Sequence, residues 1–297
     1  MKILISGSHG LVGQALSRSL AIDGHTVLRL VRRNATNESE IQWRSDAGVI
    51  DSSPLEGLDG VIHLAGESIA SGRWTDEKKQ RIFDSRVKGT FALSKILAQL
   101  NEPPKSFLCA SAIGYYGDRK DEVLTESSAP GNDFLATVCV QWEKATSPAV
   151  EKGIRTLSTR FGIILDKKGG ALAKMLTPFR MGIGGRIGEG KQWMSWIALD
   201  DVVSALRFVL NKTELTGPVN FVAPNPVTNE AFTRALGRTL GKPSLLPIPE
   251  FGVRLAFGEM ADALLLSSQR VEPTKLNDAQ FEFRLTTIDE ALRRILV

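Results

Sequence analysis

The sequence predicts an α/β protein: a doubly wound, mostly parallel sheet with a smaller C-terminal lobe. Three observations carry this expectation. The chain opens with a strand, a glycine turn and a helix start; short aliphatic runs then alternate with amphipathic helical stretches as far as Gly162; beyond residue 165 the character shifts to glycine-rich and helical segments. The predicted order up to Gly162 is strand, helix, strand, strand, strand, helix, strand, helix, strand.

Lys2-Ile3-Leu4-Ile5-Ser6 reads as the first strand, because its residues are β-branched and aliphatic. Gly7, Gly10 and Gly13 follow at three-residue spacing, and Leu11, Val12, Ala15, Leu16 and Leu20 recur at helical intervals. A glycine at 7 suits a sharp turn, one at 10 lets main chain approach a ligand, and one at 13 lets the helix sit close on the strand. Glycine triplets alone say little, but a strand before and a helix after make this a candidate phosphate cradle, with unpaired N–H groups at the helix start. Thr26 to Val31 reads as the second strand and ends in Arg32-Arg33. An acidic residue there would hold a ribose 2′-hydroxyl, whereas two guanidiniums suit a 2′-phosphate, so the expected ligand is NADP(H) rather than NAD.

Asn34 to Glu40 reads as a polar loop, Ile41 to Trp43 as a short strand, and Ser45 to Gly57 as irregular. Gly60 to Gly66 reads as a buried strand that ends in small residues, with His63 packed rather than acting as an acid or base. Thr75 is the expected N-cap of a long helix to Leu100, stopped by Pro103-Pro104. Lys105 to Ala110 is the next strand and leads into Ser111-Ala112-Ile113-Gly114-Tyr115-Tyr116-Gly117, the kind of strand end an open sheet offers to a ligand. A helix is expected over 134–151 and a strand over 154–162.

Gly169 to Gly190 is glycine-rich around a helix near Ala171 to Met181 and reads as mobile substrate-lobe material. Leu199, Val202, Val203, Leu206, Val209 and Leu210 form an amphipathic stripe that begins at Asp200-Asp201. Val219 to Val222 reads as a strand, Thr228 caps a helix to Leu240, and prolines at 243, 247 and 249 mark a linker. Helices are expected over 251–266 and 287–296, the latter opened by a capping box of Thr287 and Glu290. The expected division is a nucleotide-binding core over 1–165, to which 193–223 returns, and a substrate lobe over 166–192 and 224–297 whose helical module begins near 245.

With 297 residues the chain can bury a large core, and its 42% hydrophobic and 24% charged residues are ordinary for a soluble protein. No apolar run approaches the roughly 18 residues of a membrane span, and the five-residue apolar start excludes a secretory signal. Cys109 and Cys139 show no metal or disulfide spacing and read as reduced core residues of a cytoplasmic protein. His9, His25 and His63 lack metal-ligand spacing, so no metal site is expected. A net charge of +4 permits nucleic-acid binding, but the basic residues are scattered among acidic ones, which argues against it. A small-molecule substrate is the expected partner, with monomer and homodimer both left open.

Four stretches resemble the extended short-chain dehydrogenase/reductases, the group that includes nucleotide-sugar epimerases: SGSHGLVG at 6–13, HLAG at 63–66, SAIGYYG at 111–117 and WIALDDVVSAL at 196–206. GESIASGRW at 66–74, DSR at 84–86, WE at 142–143, MLTPFRMGIGGRIGEGKQWMSWI at 175–197 and GEMADALLLSSQRVEP at 258–273 are more specifically similar to its atypical, epimerase-labelled YfcH-type subfamily. The resemblance covers essentially the whole chain and implies a Rossmann-like core holding NADP(H) across the carboxyl ends of the strands. It implies that Gly7, Ser8, Gly10, Leu11, Val12 and Gly13 line the pyrophosphate and that Arg32 and Arg33 meet the 2′-phosphate. Leu64, Ala65 and Gly66 would flank the adenosine ribose and diphosphate; Arg86, Ser111 and Ala112 would lie near the cofactor; Arg160, Phe161 and Gly162 would close over the nicotinamide.

One departure bears on the chemistry. The family places a Tyr-x-x-x-Lys pair on the helix after the SAIGYYG-like segment, where the tyrosine exchanges a proton and the lysine lowers its pKa. Here that helix reads Phe134-Leu135-Ala136-Thr137-Val138-Cys139, and counting four residues back from Tyr116 reaches Ala112 rather than a serine. Two functions follow. One is an NADP-dependent oxidoreductase or nucleotide-sugar epimerase with a displaced acid/base, for which Tyr116 or Tyr115, Ser111 as partner and Glu143 as base are the candidates. The other is an NADP(H)-binding regulator or sensor with little or no turnover.

Overall fold

The computed structural model describes residues 1–43, 52–244 and 246–297. Its strands and helices alternate as the sequence patterning requires: β1 (Lys2–Ser6), α1 (Leu11–Ile22), β2 (Thr26–Val31), β3 (Glu40–Gln42), β4 (Gly60–His63), α2 (Asp76–Gln99), β5 (Ser106–Ala112), β6 (Val123–Leu124), α3 (Phe134–Lys144), α4 (Ser147–Glu151) and β7 (Arg155–Phe161). There follow β8 (Ile163–Asp166), α5 (Gly170–Arg180), β9 (Trp193–Met194), β10 (Trp196–Ala198), α6 (Leu199–Asn211), β11 (Gly217–Phe221), β12 (Val227–Thr228) and α7 (Asn229–Leu240). The chain closes with α8 (Glu250–Phe257), α9 (Glu259–Ala261), β13 (Arg270–Val271), α10 (Thr274–Asp278) and α11 (Ile288–Leu296). The irregular stretch expected over 45–57 lies partly outside the described residues; its described end contains a 3₁₀ turn, Ser53–Leu55.

Seven strands form the central sheet in the order β11-β7-β5-β4-β1-β2-β3, and every neighbouring pair is parallel. The inner strands β1, β4 and β5 are buried on both faces along nearly their whole length, and successive side chains serve opposite layers. Ile3 and Ile5 pack with α1 and α6 through Leu16, Leu20, Val202 and Leu206; Leu4 packs with α2 and α3 through Leu93, Leu97 and Trp142. The order reverses between β1 and β4. Their carboxyl ends therefore diverge into loops on opposite sides and leave the crevice where open α/β sheets bind ligands.

A separate apolar cluster joins α5, α7 and α11 through Leu172, Leu176, Phe232, Leu236 and Leu292. The acidic start of α6 ties the segment before α11 to the sheet layer. Asp201 is fully buried and accepts hydrogen bonds from the backbone N–H of Arg284 and Leu285, each at 3.0 Å.

Three expected elements differ from the structure. The helix expected over 134–151 is two helices, because Pro148 at the first turn of α4 lacks an N–H and cannot continue α3. The helix expected over 251–266 breaks at Gly258, whose φ of +60° no helix accommodates, and resumes as α9 and a π turn, Asp262–Leu266. The strand expected over 154–162 continues past Gly162 as β8, which leaves the main sheet to pair with β10. A Cβ at Gly162 would lie 2.6 Å from the Ser195 carbonyl oxygen, so glycine permits that departure. The N-caps at Thr75, Thr228 and Thr287 are formed as the sequence indicates.

Candidate functional site

The crevice at the sheet reversal is built from β1, β4 and the loops that leave them. Gly7 has φ +68°, and a Cβ there would stand 2.7 Å from the Leu64 carbonyl carbon and 2.8 Å from Ala65 N. A Cβ at Gly13 would collide with the Gly7 carbonyl. Glycine is therefore required at both positions. Gly10 N–H donates to Gly7 O at 2.9 Å and Gly10 N-caps α1, so the helix begins directly against the loop and its first N–H groups face the crevice. Ser8 is buried, and Leu11 covers Gly169 at the start of α5. The glycine pair that opens α5 thus packs against the start of α1.

Two residues that the sequence did not offer as ligand-site groups hold this loop pair together. Ser6 Oγ accepts from Leu64 N–H at 3.1 Å and Ala65 N–H at 3.3 Å, and lies 2.6 Å from His63 Nδ1. With both lone pairs used, the serine proton goes to Nδ1, which places the imidazole proton on Nε2. Burial pushes His63 down to about 4, so it stays neutral and is packed, as expected, against Trp43 and Phe107.

The two arginines after β2 separate in role. Arg33 makes a bidentate bond to Glu40, Nη2–Oε1 at 2.6 Å and Nη1–Oε2 at 2.8 Å. That pairing, with Thr36, holds Glu40 down at about 2. Arg32 is exposed and, among the described residues, forms no hydrogen bond or ion pair. Along the β4 exit, Gly66 faces the guanidinium of Arg86, which also lies 5.0 Å from the Trp142 ring on α3. Glu67 is held by Lys78 and Ser85, so the loop after β4 is pinned to α2.

At the ends of β5 and β7 the proposed acid/base residues form one closed network. Ser111 Oγ donates to Glu143 Oε1 at 2.7 Å, and Arg160 binds both oxygens of Glu143 through Nε and Nη2 at 2.8 Å each. Burial works against the Arg160 charge, but the Glu143 bonds and charge outweigh it and raise the guanidinium pKa. Glu143 is thus the counter-ion of a buried arginine rather than a free base. Tyr116 is fully buried; its hydroxyl donates to Asn220 Oδ1 at 2.7 Å and accepts from Arg160 Nη1 at 3.0 Å. Burial outweighs the opposing charge of Arg160 and pushes the phenol up to about 12. Its hydroxyl is thus engaged inside this network, with Asn220 and Arg160 as its partners. Tyr115 is half-buried with its ring 3.4 Å from Arg160 Cζ. Ala112 ends β5 beside this network, and Phe161 packs edge-on to Phe221.

Cys109 and Cys139 are buried free thiols pushed by burial up to about 12, which removes them as nucleophiles at neutral pH. Among the described residues no cluster of His, Cys, Asp and Glu could hold a metal, and no helix is long and apolar enough to cross a membrane. A cavity of about 550 Å³ opens at the opposite, amino end of the sheet, lined by Met1, Leu20, His25, Phe208 and Phe281 among others; no predicted site residue lines it.

The sequence profile of the NAD dependent epimerase/dehydratase family matches residues 3–222, the span from β1 through β11. The chain belongs to this family. A domain of unknown function matches residues 248–295, and so gives the epimerase-family core its C-terminal module. Among relatives, an epimerase family protein of Mycobacterium bovis is 44% identical over 98% of this chain and 96% of its own length. One of Bacillus subtilis is 36% identical over all of this chain and 98% of its own. The crystal structure of the human epimerase family protein SDR39U1, solved with NADPH, superposes with a TM-score of 0.91 at 29% identity and covers 99% of both chains.

Proposed function

We propose that this epimerase-family chain binds NADP(H) across the carboxyl ends of β1, β2 and β4, with the pyrophosphate on the Gly7–Gly13 loop. The observation that carries the reading is the division of labour at 32 and 33: Arg33 is committed to Glu40, while Arg32, exposed at the end of β2, has no hydrogen-bond or ion-pair partner among the described residues. An unpaired guanidinium at that strand end suits a 2′-phosphate, as does a loop that excludes every side chain from Gly7 and Gly13. The human relative solved with NADPH supports the same choice. Leu11 and Val12 would offer backbone N–H groups to the diphosphate, Leu64, Ala65 and Gly66 would flank the adenosine ribose, and Arg160, Phe161 and Gly162 would shape the nicotinamide end. The segments 166–192 and 224–297 form the substrate lobe in this reading. When bound, the cofactor supplies or accepts a hydride.

For the reaction, we infer an oxidoreductase or nucleotide-sugar epimerase with a non-standard site, because α3 contains no tyrosine and its first two turns carry no cation. A regulator with little or no turnover is favoured by one specific observation: Ser111, Glu143, Arg160 and Tyr116 satisfy one another. Following 340 nm absorbance with carbonyl compounds and nucleotide sugars separates the two. Turnover with NADPH supports the enzyme; tight NADPH binding with no turnover across the panel supports the regulator; equal affinity for NADH and NADPH removes the 2′-phosphate assignment.

A further inference from the structure

Near the C-terminus, residues 250–264 form an arm that starts and ends on the same support, the stretch after α5. At the first foot, Ile248 N–H donates to Arg186 O at 2.7 Å and Gly188 N–H donates to Ile248 O at 2.9 Å. At the second foot, Gln192 Nε2 donates to Leu265 O at 3.1 Å and Trp193 N–H donates to Ser268 Oγ at 3.0 Å. Between the feet run α8, α9 and the start of the π turn. Arg254 binds both Glu250 and Asp262, at 3.1 and 2.9 Å, so the arm is folded on itself as one piece.

The tip of the arm rests on the rim of the crevice. Arg73, in the loop after β4, donates through Nη2 to Leu255 O, and Lys79 in the first turn of α2 pairs with Glu259. Among the described residues, these are the hydrogen bond and the ion pair that leave 250–264. α5 spans the same gap: Gly169 meets Leu11 at the start of α1, and Lys174 Nζ donates to Ala70 O at 2.6 Å. Little holds the arm down. Val253, Met260 and Ala261 are the buried residues of α8 and α9, yet among the described residues none of them joins an apolar cluster of the chain. Phe251 and Leu255 are 74% and 75% exposed. The Lys79 and Glu259 side chains are 27% and 48% exposed, where an ion pair is weak. A segment with few apolar contacts and exposed bonds opens at low free-energy cost.

We propose that residues 250–264 are a lid over the crevice, which turns on its two feet and opens at the Arg73 and Lys79 end to admit and release the dinucleotide. Both feet offer a hinge: Pro249 precedes α8, and the π turn Asp262–Leu266 interrupts the regular helical ladder before the second foot. The inference rests on the reading of the crevice as the NADP(H) site. A lid of this kind sets the rates at which a ligand enters and leaves.

The test uses the full chain. Hydrogen exchange of the free wild type reads the lid without a ligand: 250–264 is expected to exchange at least tenfold faster than α7, and Glu259→Gln to speed it threefold or more while leaving α7 unchanged. Exchange of 250–264 at the α7 rate overturns the proposal. To lock the lid, Lys79→Cys and Glu259→Cys are combined and joined by a reductant-cleavable bis-maleimide; Cys109 and Cys139 are buried and stay unmodified. Stopped-flow NADPH fluorescence is expected to show association slowed tenfold or more by the cross-link and restored on reduction. Association within twofold of the double variant before cross-linking overturns the proposal. Should the double variant not fold, NADPH dissociation from Glu259→Gln is read instead, with a threefold rise expected and an unchanged rate overturning the lid. A wild type that binds no NADPH contradicts the cofactor reading, and hydrogen exchange of the free protein then decides the lid alone.

Discussion

Replacing Glu143 by glutamine separates a structural from a catalytic role for the network at the ends of β5 and β7. The Arg160 side chain is 3% exposed and that of Glu143 16%, so their attraction is little screened. Removing one member of a buried pair leaves the other charge uncompensated, which costs about 3–5 kcal/mol. Glutamine still accepts one hydrogen bond, and Glu143 retains some solvent contact, which places the expected loss near the lower end, about 3 kcal/mol. An exposed carboxylate would cost about 0–1 kcal/mol. Urea unfolding of Glu143→Gln against wild type measures the difference. A loss below about 1 kcal/mol, especially with NADPH binding intact and any turnover abolished, would refute the structural assignment and return Glu143 to the role of base.

Three other perturbations follow from the same geometry. Tyr116→Phe removes a buried hydroxyl bonded to Asn220 and Arg160 and is expected to cost about 1–3 kcal/mol in urea unfolding while leaving NADPH affinity within twofold; a large loss of affinity would place the phenol at the ligand. His63 is neutral when folded, with its pKa down at about 4, whereas the unfolded imidazole takes up a proton near pH 6.5. As pH falls between those values the unfolded state binds more protons, so stability drops by roughly 3 kcal/mol, and His63→Gln should flatten that part of the pH profile. Gly13→Ala is expected to abolish NADPH binding, seen as loss of the thermal shift on adding NADPH, because its Cβ meets the Gly7 carbonyl.

Much of the core was legible because its determinants are local. The alternation of Ile3, Leu4 and Ile5 over two buried faces, the glycines at 7, 10 and 13, and the threonine N-caps each act within a few residues. The two broken helices were also written locally, in Pro148 and Gly258, but apolar periodicity continued across both and masked the breaks. The site's chemistry was less legible because its partners are far apart in the chain. Glu143 meets Ser111 from 32 residues away, and Tyr116 turns to Asn220 from 104 residues away. No spacing rule connects such pairs. Arg32 and Arg33 look equivalent as neighbours, and they differ only because the chain folds Glu40 back onto one of them. Ser6 and His63 escaped notice as loop supports for the same reason: their contact arises from the β1–β4 register, which sets residue 6 opposite residue 63.

The most direct measurement of the account is the affinity of NADPH and NADH for wild type, Arg32→Ala and Arg33→Ala under identical salt. A free Arg32 and a committed Arg33 predict that Arg32→Ala weakens NADPH at least tenfold while changing NADH little, and that Arg33→Ala acts chiefly on stability through Glu40. Equal weakening of both nucleotides by Arg32→Ala, or a larger loss of NADPH affinity from Arg33→Ala, would contradict it.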